Sequence, residues 1–361
     1  MQCRVEALIN KDRLTENIQV LLKKVKPNEV LAMLKGNAYG HGLVEVAEII
    51  QPFVNGFGVA SFIEAQKLRD SGINLPIVLM SGFVAQCQIP YMKALDITPV
   101  IHSHYQLEWV LAEKSAWHIN AWLKINTGMN RLGFDLDDAR MIYQTIKANK
   151  ERFNRLIWLT HLAEAEFPDS VISLEQKKCF AQLCQQYPAD AISMENSAGL
   201  LMDDSLPCDI IRPGAALYGI SSFEALAEKT RLYFDYVMTL KSRIIALHDV
   251  KIGNTVGYNG IWQAKRDSVI ATIPVGYADG YPYRTPEGTP VLIRGKKVPV
   301  IGKLSMDMMS VDVTEVKNVA VGDEVILWGD ELPIEEVATV IGVSPYSLSS
   351  GLSDRVERKV V

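Results

Sequence analysis

The residues best placed to do chemistry in this 361-residue chain begin where an apolar run ends. Val30-Leu31-Ala32-Met33-Leu34 leads into Lys35, and Gly36, Gly40 and Gly42 follow closely, with Pro27 upstream. An apolar run bounded by turn residues reads as a buried strand. Lys35 stands at its C-terminal mouth, where desolvation lowers the pKa of an ammonium group. A partly neutral amine condenses with an aldehyde to a Schiff base. Glycines after it let backbone approach a ligand closely. A strand-ending lysine that snorkels to water is the ordinary alternative, and the rest of the chain decides against it.

The elements that must position Lys35 repeat. Short apolar runs occur at 30–35, 56–61, 76–80, 96–101, 119–125, 156–161, 191–194 and 209–212, with amphipathic segments between them. Ala139, Ile142 and Ile146 show helical spacing, and Ser61 with Glu64 forms a capping box that opens a helix through Leu68. Alternating strands and helices imply a parallel sheet with crossovers. Eight such units over about 220 residues predict an N-terminal (β/α)8 TIM-type barrel. An open doubly wound sheet is the competitor, but Gly56-Phe57-Gly58 is too little of a dinucleotide fingerprint to support it. On a barrel the reactive groups collect at the C-terminal strand ends. Those ends carry Lys35, Ser61, Lys124, His161, Asn196, Ser197 and Arg212. Alone, His161 reads as a core histidine and Arg212 as a surface ion-pair partner. Together with a lysine around one rim they read as a site.

Beyond about residue 225 the texture changes. The stretches 234–245, 268–275, 291–294, 298–301, 310–313 and 324–328 are strand-like and separated by Gly, Pro and Asp turns. Arg294-Gly295-Lys296-Lys297 reads as a hairpin connection. The expected division is a barrel over 1–228 and a mostly β domain over 229–361, with only the tail 344–361 weakly patterned. Hydrophobic residues make up 48% and charged residues 22%, and the net charge of −5 gives no support for nucleic-acid binding. No stretch is long and apolar enough for a bilayer, and Met1-Gln2-Cys3-Arg4 starts no signal peptide. The expected location is therefore cytoplasmic. Five scattered cysteines (Cys3, Cys87, Cys179, Cys184, Cys208) without a CxxC pair predict reduced thiols rather than a disulfide framework or a metal site.

The run Met33-Leu34-Lys35-Gly36-Asn37-Ala38-Tyr39-Gly40-His41-Gly42 resembles the cofactor-lysine motif of alanine racemases. Further matches follow in the family's order. In the barrel half they are 123–133 (LKINTGMNRLG), Thr160-His161, Asn196-Ser197-Ala198 and 211–219 (IRPGAALYG). The second half adds Val256-Gly257-Tyr258, 276–281 (GYADGY) and 302–307 (GKLSMD). The resemblance spans essentially the whole chain, and the ordered set is far more specific than any one motif.

The resemblance implies a pyridoxal phosphate enzyme that interconverts L- and D-alanine, supplies D-alanine for peptidoglycan, and works as a homodimer with shared active sites. It implies that Lys35 binds the cofactor and is one of two bases. Tyr258 is the other, delivered by the partner subunit's second domain. Arg212 faces the pyridine nitrogen, His161 supports that arginine or the ring, and Arg131 approaches the phenolic oxygen and the substrate. Tyr39, Ser197 and the backbone of Gly214 and Ala215 hold the phosphate. Met306 and nearby tyrosines, Tyr277 among them, line the entrance. Lys124 matches a lysine that some relatives carry as a carbamate. Gly36 departs from the usual alanine. Where some relatives place a tail tyrosine near the phosphate, this chain offers Ser353, Asp354 and the more distant Tyr346. Decarboxylases of basic amino acids share the architecture but use a cysteine motif in the second domain, and no cysteine follows Cys208. Single-barrel cofactor-binding proteins lack a second domain altogether.

Overall fold

The computed structural model describes all residues except 1–3, 26–28, 115–116, 168, 202–207, 222–227 and 229. Cys3 and Pro27 of the sequence reading therefore lie outside the described residues, as do most of those just before the expected boundary at 228. The chain divides into two compact units: Ile18–Ala38 with Leu43–Ala216, and Met1–Asn17 with Tyr39–Gly42 and Leu217–Val361.

The first unit is a (β/α)8 barrel. Its parallel strands are Glu29–Met33, Gly56–Val59, Ile77–Leu79, Ile97–Ile101, Ile119–Lys124, Phe153–Leu159, Ala191–Ser193 and Ile210–Ile211, the first seven each paired with the next in chain order. Ile210–Ile211 pairs with Glu29–Met33. The ring closes at Ala191–Ser193, where Ser193 Oγ donates to the Ile210 carbonyl (2.7 Å) and the Asp209 amide donates to the Ile192 carbonyl (3.1 Å). All eight predicted runs are strands. They were readable because parallel strands covered on both faces become continuous apolar runs; every residue of Gly56–Val59 is buried.

The helices follow their sequence signals. Ala139, Ile142 and Ile146 are the buried face of the helix Ala139–Ala148. The helix Phe62–Asp70 opens on the predicted Ser61/Glu64 capping box. At the N-terminal end of the strands, Arg69 donates to the carbonyls of Ile73, Leu75, Leu95 and Asp96 at 2.7–2.8 Å. Those bonds fasten two loops on the face of a barrel that serves stability rather than chemistry.

The second unit is built on a nine-stranded sheet. Its order is Ala246–Val250, Ser268–Ile273, Met309–Asp312, Lys296–Ile301, Pro290–Ile293, Glu324–Trp328, Met238–Arg243, Val5–Ile9, Glu357–Val360. Pro290–Ile293 and Lys296–Ile301 form the predicted hairpin. Its two turn residues, Arg294 (φ 50°) and Gly295 (φ 72°), are both left-handed, as a tight turn matched to strand twist requires. The sequence reading differs in three places. The expected strand 234–245 is confined to Met238–Arg243, and Ala246–Val250 is a strand the sequence pattern did not mark. The weakly patterned tail supplies Glu357–Val360. Val5–Ile9, expected within 1–228, pairs with Met238–Arg243 and Glu357–Val360. The segment Tyr39–Gly42 also packs in this unit: an added Cβ at Gly40 (φ +85°) would lie 1.8 Å from the Ser349 carbonyl oxygen.

Candidate active site

Lys35 follows the buried strand Glu29–Met33, and the chain then turns left-handed. Gly36 has φ 66° and ψ 42°, Asn37 55° and 48°, Ala38 55° and 51°, and Tyr39 continues at φ 53°. For an L-residue this region crowds Cβ against the next carbonyl at about 1–2 kcal/mol. Glycine at position 36 avoids that at the first step. Hydrogen bonds hold the remainder. The Ala38 amide donates to the Leu34 carbonyl at 2.7 Å. The amides of Gly36 and Asn37 donate to Glu64 Oε1 at 2.7 and 3.3 Å, and Asn37 Oδ1 accepts from the Leu43 amide at 2.9 Å.

Arg212, at the end of the strand Ile210–Ile211, is 3% exposed. Its Nη1 donates to Ser193 Oγ at 2.5 Å, and its Nη2 to the carbonyls of Thr160 (2.7 Å) and Met194 (3.1 Å). Nη2 also lies 3.4 Å from His161 Nδ1. A guanidinium only donates, so Nδ1 is the acceptor and the ring proton sits on Nε2. Burial pushes the Arg212 pKa down to about 10, against the opposing influence of Cys208 and Glu195. His161 is held well below the usual imidazole range by burial and then by Arg212, Lys124, Lys35 and Arg131. It is neutral at physiological pH.

Lys124 ends the strand Ile119–Lys124 and is 9% exposed. Burial, then Arg212, Arg131 and Lys35, push its pKa down to about 8. Lys35 is lowered by burial, then by Arg131 and Arg212, with Glu64 acting the other way. Arg131 rides on the loop after Lys124. That loop is shaped by Asn126, whose Oδ1 accepts from the amides of Gly128 (3.2 Å) and Asn130 (3.0 Å). It is closed by the Phe134 amide donating to the Lys124 carbonyl at 2.8 Å. Gln176, from the helix Val171–Gln186, reaches in with Nε2 to Thr127 Oγ1 (3.1 Å) and the His161 carbonyl (3.0 Å). Nothing in its helical spacing marks that role.

Ser197 Oγ accepts from the amides of Gly214 (2.9 Å) and Ala216 (3.1 Å). With both lone pairs engaged, the hydroxyl proton remains to donate to an anion. The Gly214 amide is thus shared with Ser197, and the Ala215 amide lies between the two. The barrel unit therefore gathers Lys35, Lys124, Arg131, His161, Ser197, Arg212, Gly214 and Ala215. Their electrostatics bring together four cationic side chains and a neutral imidazole. Such a set can hold a phosphorylated aldehyde and an amino-acid carboxylate.

The second unit carries the other predicted residues. Tyr258 opens a short turn, Tyr258–Gly260, and is 67% exposed. Met306, 53% exposed, lies next to Tyr277, since the Ala278 amide donates to the Met306 carbonyl at 3.0 Å. Tyr39 is half-buried, and desolvation, then Tyr346, raises its phenol above the usual range. Its ring packs edge-on against Tyr346 (6.0 Å) and tilted against Tyr218 (5.3 Å). Tyr346, distant in the sequence reading, is thus a neighbour of Tyr39. Among the described residues no three His, Cys, Asp or Glu side chains gather as a metal site, and no helix is long and apolar enough to cross a membrane.

Comparison with known proteins gives the same picture along the whole chain. Residues 9–222 match the model of the alanine racemase N-terminal domain, and residues 237–360 that of the alanine racemase C-terminal domain. The alanine racemase of Pasteurella multocida is 40% identical over 350 residues, covering 97% of this chain and 96% of that protein. The biosynthetic alanine racemase of Salmonella typhimurium is 37% identical over 354 residues, 98% of each. Among solved structures, the biosynthetic alanine racemase of Pseudomonas aeruginosa superposes with a TM-score of 0.94 at 32% identity over 100% of both chains. That of Bartonella henselae, described with covalently bound pyridoxal phosphate, gives 0.89 at 26% over 100% of both. With both domain models matched and relatives similar from end to end, this chain belongs to the alanine racemase family.

Proposed function

We propose that this chain is a pyridoxal phosphate-dependent racemase that interconverts L- and D-alanine, providing D-alanine for peptidoglycan in the cytoplasm. The observation that carries the reading is the barrel rim: an amine of lowered pKa, Lys35, stands among arginines, a neutral histidine and a serine-capped turn. The donor set suits the cofactor. Lys35 offers an amine for covalent attachment. Ser197, the amides of Gly214 and Ala215, and Tyr39 offer donors for the phosphate. The surplus of positive charge favours a phosphate and a carboxylate.

When bound, pyridoxal phosphate supplies an electron sink that acidifies the α-hydrogen of an amino acid joined to it. The protein supplies the rest. Lys35 Nζ holds or releases the α-proton on one face. Tyr258 of the partner subunit does so at Oη on the other, because inversion needs a proton carrier on each side. The exposure of Tyr258 and Met306 in a single chain supports a homodimer with shared sites, with Met306 lining the substrate entrance. Arg212 only donates, so it would face the cofactor's pyridine nitrogen as a hydrogen-bond donor. His161, neutral and accepting from Arg212, keeps the guanidinium oriented. Arg131 would approach the cofactor's phenolic oxygen and help place the substrate. Lys124, its pKa pushed down to about 8 by burial and the neighbouring cations, stands where some relatives carry a carbamate.

The test is direct. Protein loaded with pyridoxal phosphate and given L-alanine should approach an equal mixture of enantiomers by chiral chromatography. A yellow, folded protein that leaves alanine unchanged would refute the proposal.

A further inference from the structure

Glu64 serves two structures with one carboxylate. As the third residue of the helix Phe62–Asp70 it completes the capping box: Ser61 Oγ accepts from the Glu64 amide (3.2 Å), and Glu64 Oε2 accepts from the Ser61 amide (3.1 Å). Oε2 also accepts from the Ala60 amide at 2.9 Å. A cap needs no more than this, and a glutamine serves it as well. The other oxygen, Oε1, accepts from Gly36 and Asn37, the two residues that follow Lys35. Those residues open the left-handed turn, a conformation that persists only where its surroundings over-determine it. Four amides on one carboxylate are charge-assisted hydrogen bonds, about twice as strong as neutral ones.

We propose that Glu64 is a positioning residue for Lys35. One oxygen clamps the turn onto the helix N-terminus and so sets where the amine stands, and the carboxylate is the anion opposing the cations around that amine. The proposal rests on reading Lys35 as the cofactor lysine. The other charged groups acting on Lys35 are Arg131 and Arg212, and Lys124 and the neutral His161 share the rim. With Glu64 neutralised, every remaining charge on that list disfavours the ammonium form. The amine also loses the clamp that limits its wandering, and small misplacements of a reacting group are costly in rate.

The experiment uses the full-length chain. Borohydride reduction and peptide mass spectrometry of the parent first locate the cofactor-bearing lysine; any residue other than Lys35 overturns the reading of Lys35 and this proposal with it. Competitive acetylation of cofactor-stripped protein across pH then gives the labelling midpoint of Lys35. In Glu64→Gln the midpoint should fall, and kcat of the loaded enzyme should drop about 10- to 100-fold with KM little changed. Ser61→Ala removes the helix cap while leaving the bonds to Gly36 and Asn37; it should melt earlier yet keep the parent midpoint. Glu64→Asp keeps the charge and shortens the reach. Its midpoint should stay while kcat falls, so the test survives if Glu64→Gln does not fold. A folded Glu64→Gln with parental midpoint and kcat, or a Glu64→Asp with parental kcat, would reduce Glu64 to a helix cap and overturn the proposal.

Discussion

Replacing Gly36 by alanine asks whether the left-handed turn after Lys35 is held in solution. Gly36 has φ 66° and ψ 42°, where an L-residue costs about 1–2 kcal/mol. The stiffer unfolded chain returns about 0.4–1 kcal/mol of this. The net loss is about 1 kcal/mol, or about 2–4 °C in melting temperature for a unit of the barrel's size. The structure provides a calibrant. Gly72 is also left-handed (φ +86°), and an added Cβ there meets nothing within 4 Å. Gly72→Ala therefore measures the backbone penalty alone. Urea denaturation of the two variants and the parent should show equal losses for both. Racemisation rates should separate them, because only Gly36 adjoins Lys35: Gly72→Ala keeps the parent kcat and Gly36→Ala loses several-fold. If Gly36→Ala matches or exceeds the parent in stability while Gly72→Ala is weakened, position 36 is not held left-handed and the reasoning fails.

Lys35→Ala should fold but acquire no covalently attached cofactor, read by mass spectrometry after reduction; attachment at another lysine would refute the assignment. Tyr258→Phe should stay yellow and lose turnover in both directions, yet still exchange the α-hydrogen of D-alanine, the enantiomer served by Lys35, with heavy water; near-normal racemisation would point to Tyr277 as the next proton carrier to test. Lys35→Ala and Tyr258→Ala, each inactive, should regain partial activity when their subunits exchange, and inactive heterodimers would show that the site forms within one chain. Lys124 has a pH signature. Its folded pKa of about 8 lies below the unfolded value of 10.5, so between them the unfolded state binds more protons and stability rises with pH, by at most about 3 kcal/mol. Lys35 shifts in the same direction, so the check is the difference between the parent and Lys124→Met in cofactor-free protein. That difference should shrink as pH climbs from 8 to 10.5, and a flat difference would refute the burial of a charged Lys124.

The barrel was legible because its strands are buried on both faces, and its rim because Lys35, Lys124, His161 and Arg212 are ionisable groups that end apolar runs. The second sheet was legible in its middle and not at its margins. Ala246–Val250 and Glu357–Val360 are its two edge strands. Edges carry charged residues that discourage further pairing, and the sequence Glu357-Arg358-Lys359-Val360 therefore shows no apolar pattern. Val5–Ile9 does alternate, but its partners are remote in the chain, and nothing local says which unit it joins. In the site, the capping spacing revealed Glu64 as a helix cap and nothing more, because its bonds to Gly36 and Asn37 depend on two neighbouring strands being set side by side. The packing of Tyr346 on Tyr39 is a contact of the same kind.

The strand Val5–Ile9 sits inside the sheet between Met238–Arg243 and Glu357–Val360, its partners far along the chain. During synthesis it waits for its first partner until residues 238–243 emerge, roughly 10–50 s at ordinary elongation rates. The barrel strands, all between residues 29 and 211, are complete before then. Its alternate side chains Val5, Ala7 and Ile9 end almost wholly buried, so this strand is a late-arriving core element. Deleting or redesigning it would remove a rung from the interior of a sheet.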